Sequence, residues 1–131
     1  MRYGSIPGVG KPVSRLVLGS MIFHTERQAL TDELLDAFVA AGGTAIDLAN
    51  VYGRGQSEVA FGAWLRRRAG RERLVVIAKG AHHGMPGYVP RMTPEAITGD
   101  LDLALERTGA GFADLYVPHK DVEAEPVAAP A

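Results

Sequence analysis

The chain has 131 residues, of which 47% are hydrophobic and 22% charged, and this balance suits one soluble globular domain with its own core. Its 14 basic and 15 acidic residues nearly cancel, so no strong overall field favours nucleic acid or an anionic membrane. Cysteine is absent, and we find neither a signal peptide nor an apolar run long enough to span a membrane, so we expect a cytoplasmic protein without disulfides.

The first half of the chain predicts two strands, each followed by a helix. The apolar run Arg15–Gly19 predicts a strand that ends at its glycine. Thr31 is the expected N-cap of a helix whose apolar residues recur at helical spacing. Thr44–Leu48 predicts a second strand, and Ser57 is expected to open a second helix with arginines 66–68 in its last turn. We interpret these arginines as a solvated face rather than a nucleic-acid patch.

The second half repeats this alternation. Leu74–Lys79 predicts a third strand that is apolar enough to be buried on both faces, and a loop, Gly80–Met92, follows it. Thr93–Glu95 predicts a helix start, because it combines a capping threonine, a proline at the first helical position and an acid in the first turn. Asp114–His119 predicts a fourth strand, and residues 122–131 predict an irregular tail.

Strict alternation of strand and helix predicts parallel βαβ units, either in a doubly wound sheet or in part of a (β/α) barrel. The dinucleotide-binding fingerprint G-x-G-x-x-G is absent from the first turn, Gly19–Met21. It also fails after Gly53–Gly55, where Glu58 stands in place of the last glycine. Cofactor binding of the Rossmann type is therefore unsupported.

Three consecutive predicted strands end with a titratable residue, and these residues are Asp47, Lys79 and His119. In parallel α/β folds the functional residues lie at the carboxyl ends of the strands. Neighbouring strands are about 4.8 Å apart, so Lys79 can contact Asp47, and Tyr52 can fold back over the same end of the sheet. Each residue alone has an ordinary structural explanation, as a turn former, a packing ring, a solvated amine or a core histidine. Their joint placement favours a functional site.

The four side chains can together donate a proton to a developing alkoxide. A phenol is a poor acid at neutral pH, and a neighbouring ammonium group makes its proton easier to release. Tyr52 is then the proton donor, assisted by Lys79, and Asp47 keeps the lysine charged and aimed. His119 can hydrogen-bond a substrate carbonyl and orient it.

Several motifs are more specific than this chemistry alone. They are AIDLANVYGRGQSE, VIAKG and DLYVPHKD, together with the helix segment TPEAITGDLDLALERTG and parts of the stretch from Arg2 to Met21. In these motifs the sequence resembles the aldo-keto reductase family, from near its start to about Asp121. The resemblance implies a (β/α)8 TIM barrel preceded by a small β-hairpin. Residues 1–121 would form the N-terminal half of that barrel, with four strands and three helices.

The resemblance also implies an oxidoreductase activity, the NAD(P)H-dependent reduction of a small aldehyde or ketone, or the reverse oxidation. Tyr52 would be the general acid and would contact the substrate together with His119. Ser20, Met21 and Asp47 would lie by the nicotinamide ribose of NADP(H) or NAD(H). Members of the family are usually much longer, and the strands that hold the adenosine phosphate come later. We therefore expect cofactor binding only in the complete barrel, and this chain to be a truncated or partial protein that is inactive alone.

Two alternatives stay open. A half-barrel leaves its inner face and two strand edges unprotected, so the chain could be a non-catalytic unit that assembles with itself or with a separate C-terminal half. A metal-dependent barrel hydrolase is the second alternative, and its ligands would come from Asp47, His24, His82, His83 and His119. We disfavour the hydrolase and expect no metal, because no His-x-His lies on the first strand and Lys79 would repel a cation.

Overall fold

A computed structural model defines the fold for residues 1–68, 70–83 and 88–120. An antiparallel hairpin comes first, formed by β1 (Tyr3–Gly4) and β2 (Val13–Ser14). A parallel sheet follows, with its strands hydrogen-bonded in the order β3 (Val17–Gly19), β4 (Ala45–Ala49), β5 (Val75–Gly80) and β6 (Leu115–Pro118). The strands are connected by α1 (Gln28–Ala40), α2 (Gln56–Leu65) and α3 (Pro94–Thr108). The α/β class and the parallel sheet are as predicted, and the predicted tail, residues 122–131, lies outside the described residues.

The helix starts differ from the predicted ones in two places. α1 begins at Gln28, before the predicted cap Thr31, because a turn of 3₁₀ helix leads into it and is capped by His24, whose Nδ1 accepts the Glu26 N–H at 3.2 Å. Thr31 is buried inside α1. The second difference is a single residue, because α2 begins at Gln56 and the predicted first residue, Ser57, is buried in its first turn.

The boundaries of α3 agree with the sequence. The Thr93 hydroxyl accepts the Ala96 N–H at 3.2 Å, and Pro94 is the first helical residue. Gly109 ends the helix in a left-handed conformation, with a φ of 64°, which glycine adopts without steric cost. None of the three described helices has the length and apolar character needed to cross a membrane.

The two faces of the sheet are covered by different elements. The helices cover one face, where a core forms around Leu35, Ile46, Leu48, Phe61, Trp64 and Val76. On the other face, Ala45 and Val75 pack with Val13, Ile6 and Val9 of the hairpin region. The hairpin region therefore covers the amino ends of the central strands. The outer strands β3 and β6 have no further strand beside them within the described residues, and Val17 and Val117 there are 48% and 40% exposed.

The arginines after α2 are exposed, as expected for a solvated face, but two of them also form ion pairs with α1. Arg67 lies 2.7 Å from an Asp32 oxygen, and Arg68 lies 2.7 Å from an Asp36 oxygen. Asp36 also accepts a hydrogen bond from Trp64 Nε1 at 2.8 Å. These contacts link α1 to the end of α2.

Asp114, just before β6, ties the hairpin to the sheet. Its carboxylate accepts the Val76 N–H at 2.9 Å and lies 2.6 Å from Lys11 Nζ and 3.0 Å from Arg71 Nη1. Lys11 comes from the segment between β1 and β2, and its ammonium also donates to the Leu74 carbonyl at 2.8 Å. Burial raises the pKa of Asp114, but the hydrogen bonds and the two cations outweigh burial, and the pKa is lowered. The ionised form is therefore the one that stabilises the fold.

Asp114→Ala should lower the free energy of unfolding by about 3 kcal/mol at neutral pH, because it leaves Lys11 and Arg71 without their carboxylate and one backbone N–H unpaired. Urea unfolding followed by circular dichroism measures the change, and Glu33→Ala, at an exposed position of α1, is the control.

The native pKa of Asp114 is lowered, so this stabilisation is complete above the ordinary value of 3.8 and is lost as the pH falls through the native pKa. The difference in the free energy of unfolding between the parent and Asp114→Ala should therefore disappear in acid. A gap that stays constant down to the acid unfolding range would contradict the role of the charge.

Candidate functional site

The candidate site lies at the carboxyl end of the parallel sheet. Asp47 is in the middle of β4, Lys79 is near the end of β5, and His119 directly follows β6. The strand register pairs Asp47 with Ile77. Because side chains alternate along a strand, Asp47, Ile77 and Lys79 face the same side of the sheet. The long lysine side chain can therefore reach back towards the aspartate.

The Lys79 ammonium group links two other side chains of the site, Asp47 and Tyr52. Its Nζ lies 2.7 Å from Asp47 Oδ2 and donates to it, and it lies 2.6 Å from the Tyr52 hydroxyl. The predicted contact between Lys79 and Asp47 is thus present. Tyr52 belongs to the turn after β4, which reverses through positive φ angles of 56° at both Gly53 and Arg54. This turn brings the phenol back over the end of the sheet.

The charge state of Lys79 follows from these partners. Burial lowers the pKa of the Lys79 amine, but the hydrogen bonds to Asp47 and Tyr52 outweigh burial, and the pKa is raised above its ordinary value. The side chain is only 18% exposed, and that of Asp47 is 23% exposed. The lysine is therefore a charged, largely desolvated donor that points at the phenol oxygen.

His119 approaches the site from β6. Its ring stands edge-on to the Tyr52 ring, with centroids 5.6 Å apart, and its backbone N–H donates to the Gly80 carbonyl at 2.7 Å. Burial lowers the pKa of His119, and the nearby charges of Lys79 and Lys120 lower it further. A neutral imidazole carries one donor and one acceptor nitrogen, so His119 can donate a hydrogen bond without carrying a charge.

A continuous series of aromatic rings, which we call the aromatic wall, extends away from Tyr52. It consists of Tyr52, His119, His82, His83 and Tyr88, and the successive ring centroids are 5.6, 4.9, 4.1 and 4.3 Å apart. Sequence reasoning treated His82 and His83 as possible metal ligands or loop residues and missed this arrangement. The sequence signal that could have indicated it is the pair His82 and His83, which follows the strand that carries Lys79.

Two residues that follow β3, Ser20 and Met21, are predicted to lie by the nicotinamide ribose, and they differ in exposure. Ser20 is fully buried, and its hydroxyl donates to or accepts from the Ser57 hydroxyl at 2.7 Å. Its carbonyl accepts the Phe23 N–H at 2.9 Å. Met21 is 71% exposed. The side chain of Ser20 therefore hydrogen-bonds α2 to the end of β3. Cofactor binding by Ser20, Met21 and Asp47 stays a prediction.

The metal-dependent alternative has no ligand set in the part of the chain that the structure describes. Among residues 1–68, 70–83 and 88–120, no three histidine, aspartate or glutamate side chains are arranged to hold a metal ion. His24 caps the turn before α1, and His82 Nδ1 lies 3.1 Å from the His83 carbonyl oxygen.

Comparison with known proteins identifies the protein family. The sequence profile described as "Aldo/keto reductase family" matches residues 15–129. The match covers most of the chain, and the chain belongs to the aldo/keto reductase family.

Several curated relatives are similar over about eighty residues. Aldo-keto reductase ausK from Emericella nidulans is 49% identical over 81 residues, aryl-alcohol dehydrogenase (NADP+) from Phanerodontia chrysosporium 40% over 82, and norsolorinic acid reductase A from Aspergillus parasiticus 36% over 81. Each match covers 56% of this chain. It covers only 20% or 21% of the relative, so the chain spans a small part of the length of these proteins.

Lys79→Met should raise the pKa of His119, because it removes a cation that disfavours protonation of the ring. An NMR titration that follows the His119 ring signals measures the midpoint. Lys120→Met is the matched control, since the Lys120 charge also lowers the pKa of His119 but contributes less than the Lys79 charge. A larger shift in the control than in Lys79→Met would contradict the geometry.

Proposed function

We propose that this chain carries the proton-transfer group of an NAD(P)H-dependent reductase that converts an aldehyde or ketone to an alcohol, or catalyses the reverse oxidation. The observation that carries the proposal is the position of the Lys79 ammonium, 2.7 Å from the Asp47 carboxylate and 2.6 Å from the Tyr52 hydroxyl. Membership of the aldo/keto reductase family and relatives named as reductases and dehydrogenases support it.

Each side chain has a separate task in this reaction. Tyr52 is the general acid, which gives its proton to the oxygen of the carbonyl as negative charge develops there. Lys79 donates a hydrogen bond to the phenol oxygen and stabilises the phenolate that remains. Asp47 holds the lysine in place and favours its charged form. His119, in its neutral form, donates a hydrogen bond that orients the carbonyl towards Tyr52.

The cofactor, when bound, supplies the hydride that reaches the carbonyl carbon. We propose that Asp47 and Met21 lie by its nicotinamide ribose, with Ser20 contributing at most through its backbone. One oxygen of Asp47 bonds Lys79, and the side chain keeps 23% of its exposure, so the carboxylate can also accept a ribose hydroxyl. A carboxylate acceptor at this position fits the hydroxyl groups of a nucleotide sugar.

We infer that the sheet is the first half of a (β/α)8 barrel, with residues 1–121 as the partial barrel. Three observations support this: the family, the sequential order of four parallel strands, and outer strands with exposed apolar residues such as Val17 and Val117. In this arrangement β3 and β6 would pair with strands from elsewhere. The cofactor contacts that belong to those strands would then be needed for tight binding of NADP(H) or NAD(H).

The aromatic wall supports an aromatic carbonyl compound as the substrate. Stacked and edge-on ring contacts favour a flat aromatic molecule lying along the wall with its carbonyl next to Tyr52. One relative carries a name that fits this class, an aryl-alcohol dehydrogenase. A reactive aryl aldehyde is therefore the first substrate to assay.

A second candidate function is assembly through the outer strands. The backbone edges of β3 and β6 are open within the described residues, and open edges readily pair with other strands. If the chain acts alone, it should self-associate and bind NADPH weakly or not at all. Analytical ultracentrifugation and a fluorescence titration with NADPH measure these two properties, and a monomer with micromolar affinity would exclude the assembly role.

Tyr52→Phe should lower kcat for aldehyde reduction by roughly 10² to 10⁴, because it removes the proton donor and keeps the ring. The assay uses the whole protein that contains this chain, with NADPH binding measured separately by fluorescence, and binding should stay close to that of the parent. Tyr3→Phe is the control, since that hydroxyl bonds the Gly42 carbonyl away from the candidate site. Turnover of Tyr52→Phe within a few-fold of the parent would remove Tyr52 from the acid role.

A further inference from the structure

The chain leaves β5 through a left-handed residue that is not glycine. Ala81 has a φ of 56° and is 2% exposed. A residue with a Cβ is strained in this conformation, and such strain persists only where neighbouring groups hold the backbone in place. Ala81 lies two residues after Lys79 and directly before His82 of the aromatic wall.

A carboxylate and a guanidinium group hold this residue from α3 and from the loop before it. Asp100 Oδ2 accepts the Ala81 N–H at 2.7 Å. The Asp100 carboxylate also accepts two hydrogen bonds from Arg91, at 2.8 and 3.1 Å, and Arg91 Nη1 lies 3.3 Å from the His82 carbonyl oxygen. We call this pair the Asp100–Arg91 clamp, and it grips the backbone on both sides of Ala81.

The clamp is charged, and its carboxylate is shielded from water. The Asp100 side chain is 9% exposed and that of Arg91 37% exposed. Burial raises the pKa of Asp100, but the hydrogen bonds from Arg91 and from the Ala81 N–H outweigh burial, and the pKa is lowered. The acceptor for the strained residue is therefore an ionised carboxylate, which makes a stronger hydrogen bond than a neutral group.

The backbone that the clamp holds contacts the turn that carries Tyr52 and the residue that follows β6, His119. The Lys79 carbonyl accepts the Asn50 N–H at 3.3 Å, which ties β5 to the turn that carries Tyr52. The Gly80 carbonyl accepts the His119 N–H at 2.7 Å. His82 places its ring edge-on to the His119 ring, with centroids 4.9 Å apart. A change in the path of residues 79–82 would therefore move Lys79, His82 and His119 together.

We propose that Asp100 is a positioning residue for the proton-transfer group. It holds Ala81 in the left-handed conformation, which directs the end of β5 so that Lys79 reaches Tyr52 and the His82 ring rests on His119. Arg91 keeps the Asp100 carboxylate aimed at the Ala81 N–H. The catalytic part of this inference rests on the proposed reductase function, whereas the backbone part does not.

The test combines Asp100→Ala with a change that removes the need for the clamp. Glycine adopts positive φ angles without steric cost, so Ala81→Gly should make the conformation of residue 81 independent of Asp100. The double variant, Ala81→Gly with Asp100→Ala, should then recover most of the His119 ring position and of the turnover that Asp100→Ala alone loses. Asp102→Ala is the matched control, because Asp102 is an exposed aspartate of the same helix. Arg91→Met provides a second disruption at a more exposed position, should Asp100→Ala fold poorly.

Two measurements are made on the full chain in each variant. Amide hydrogen exchange at residue 81, compared with amides in the middle of β5, should accelerate about tenfold in Asp100→Ala and stay unchanged in Asp102→Ala, because only the first loses its acceptor. NMR signals of the His119 ring should shift in Asp100→Ala and return towards the parent values in the double variant. Unchanged exchange and ring signals in both Asp100→Ala and Arg91→Met would overturn the proposal, as would failure of Ala81→Gly to restore the ring signals.

The kinetic arm separates this inference from the proposed function. In the whole protein that contains this chain, kcat for an aryl aldehyde should fall about tenfold or more in Asp100→Ala, as expected for displaced catalytic groups, with little change in the KM for NADPH. The double variant should recover most of the lost rate. A parent protein without reductase activity would reject the proposed function, and the exchange and ring-signal measurements would still decide the role of Asp100.

Discussion

The pairing of one lysine ammonium group with two oxygen partners is the constraint on which the site depends. Lys79 sits between a carboxylate and a phenol at 2.7 and 2.6 Å, and a charged amine that is largely removed from water is stable only if such partners stay in place. The parallel sheet satisfies this requirement because β4 and β5 fix Asp47 and Lys79 on the same face. The phenol is held less directly, by a tight turn that includes a left-handed Arg54.

The two ends of the sheet carry different groups, an ion network at the amino end and the candidate site at the carboxyl end, where functional residues usually lie in parallel α/β folds. At the amino end, Asp114 gathers Lys11, Arg71 and a backbone amide into a compact network that closes the hairpin onto β5 and β6. At the carboxyl end, the charged and aromatic groups converge over strained backbone.

Much of this arrangement follows from local sequence patterns, and the rest depends on tertiary contacts. The strands that carry Asp47 and Lys79 follow from apolar runs, although β4 continues for two residues beyond Asp47, where the sequence predicts its end. The bounds of α3 follow from Thr93, Pro94 and Gly109, because these signals act within a few residues. The start of α1 was misjudged because a histidine caps the turn before it. Nothing local marks Ala81 as left-handed, and its partner Asp100 lies nineteen residues away.

The chain's single tryptophan gives the protein an internal optical reporter. Trp64 is 3% exposed, packs near Phe61 and bonds Asp36 through its indole nitrogen, all on the helix-covered side of the sheet. Its emission maximum should be that of an indole in an apolar environment, and it should move to longer wavelength only when α1 and α2 separate. Protonation of the histidines, or a substitution within the aromatic wall, should leave the spectrum unchanged. Fluorescence therefore follows global unfolding in every variant, cleanly separated from events at the candidate site.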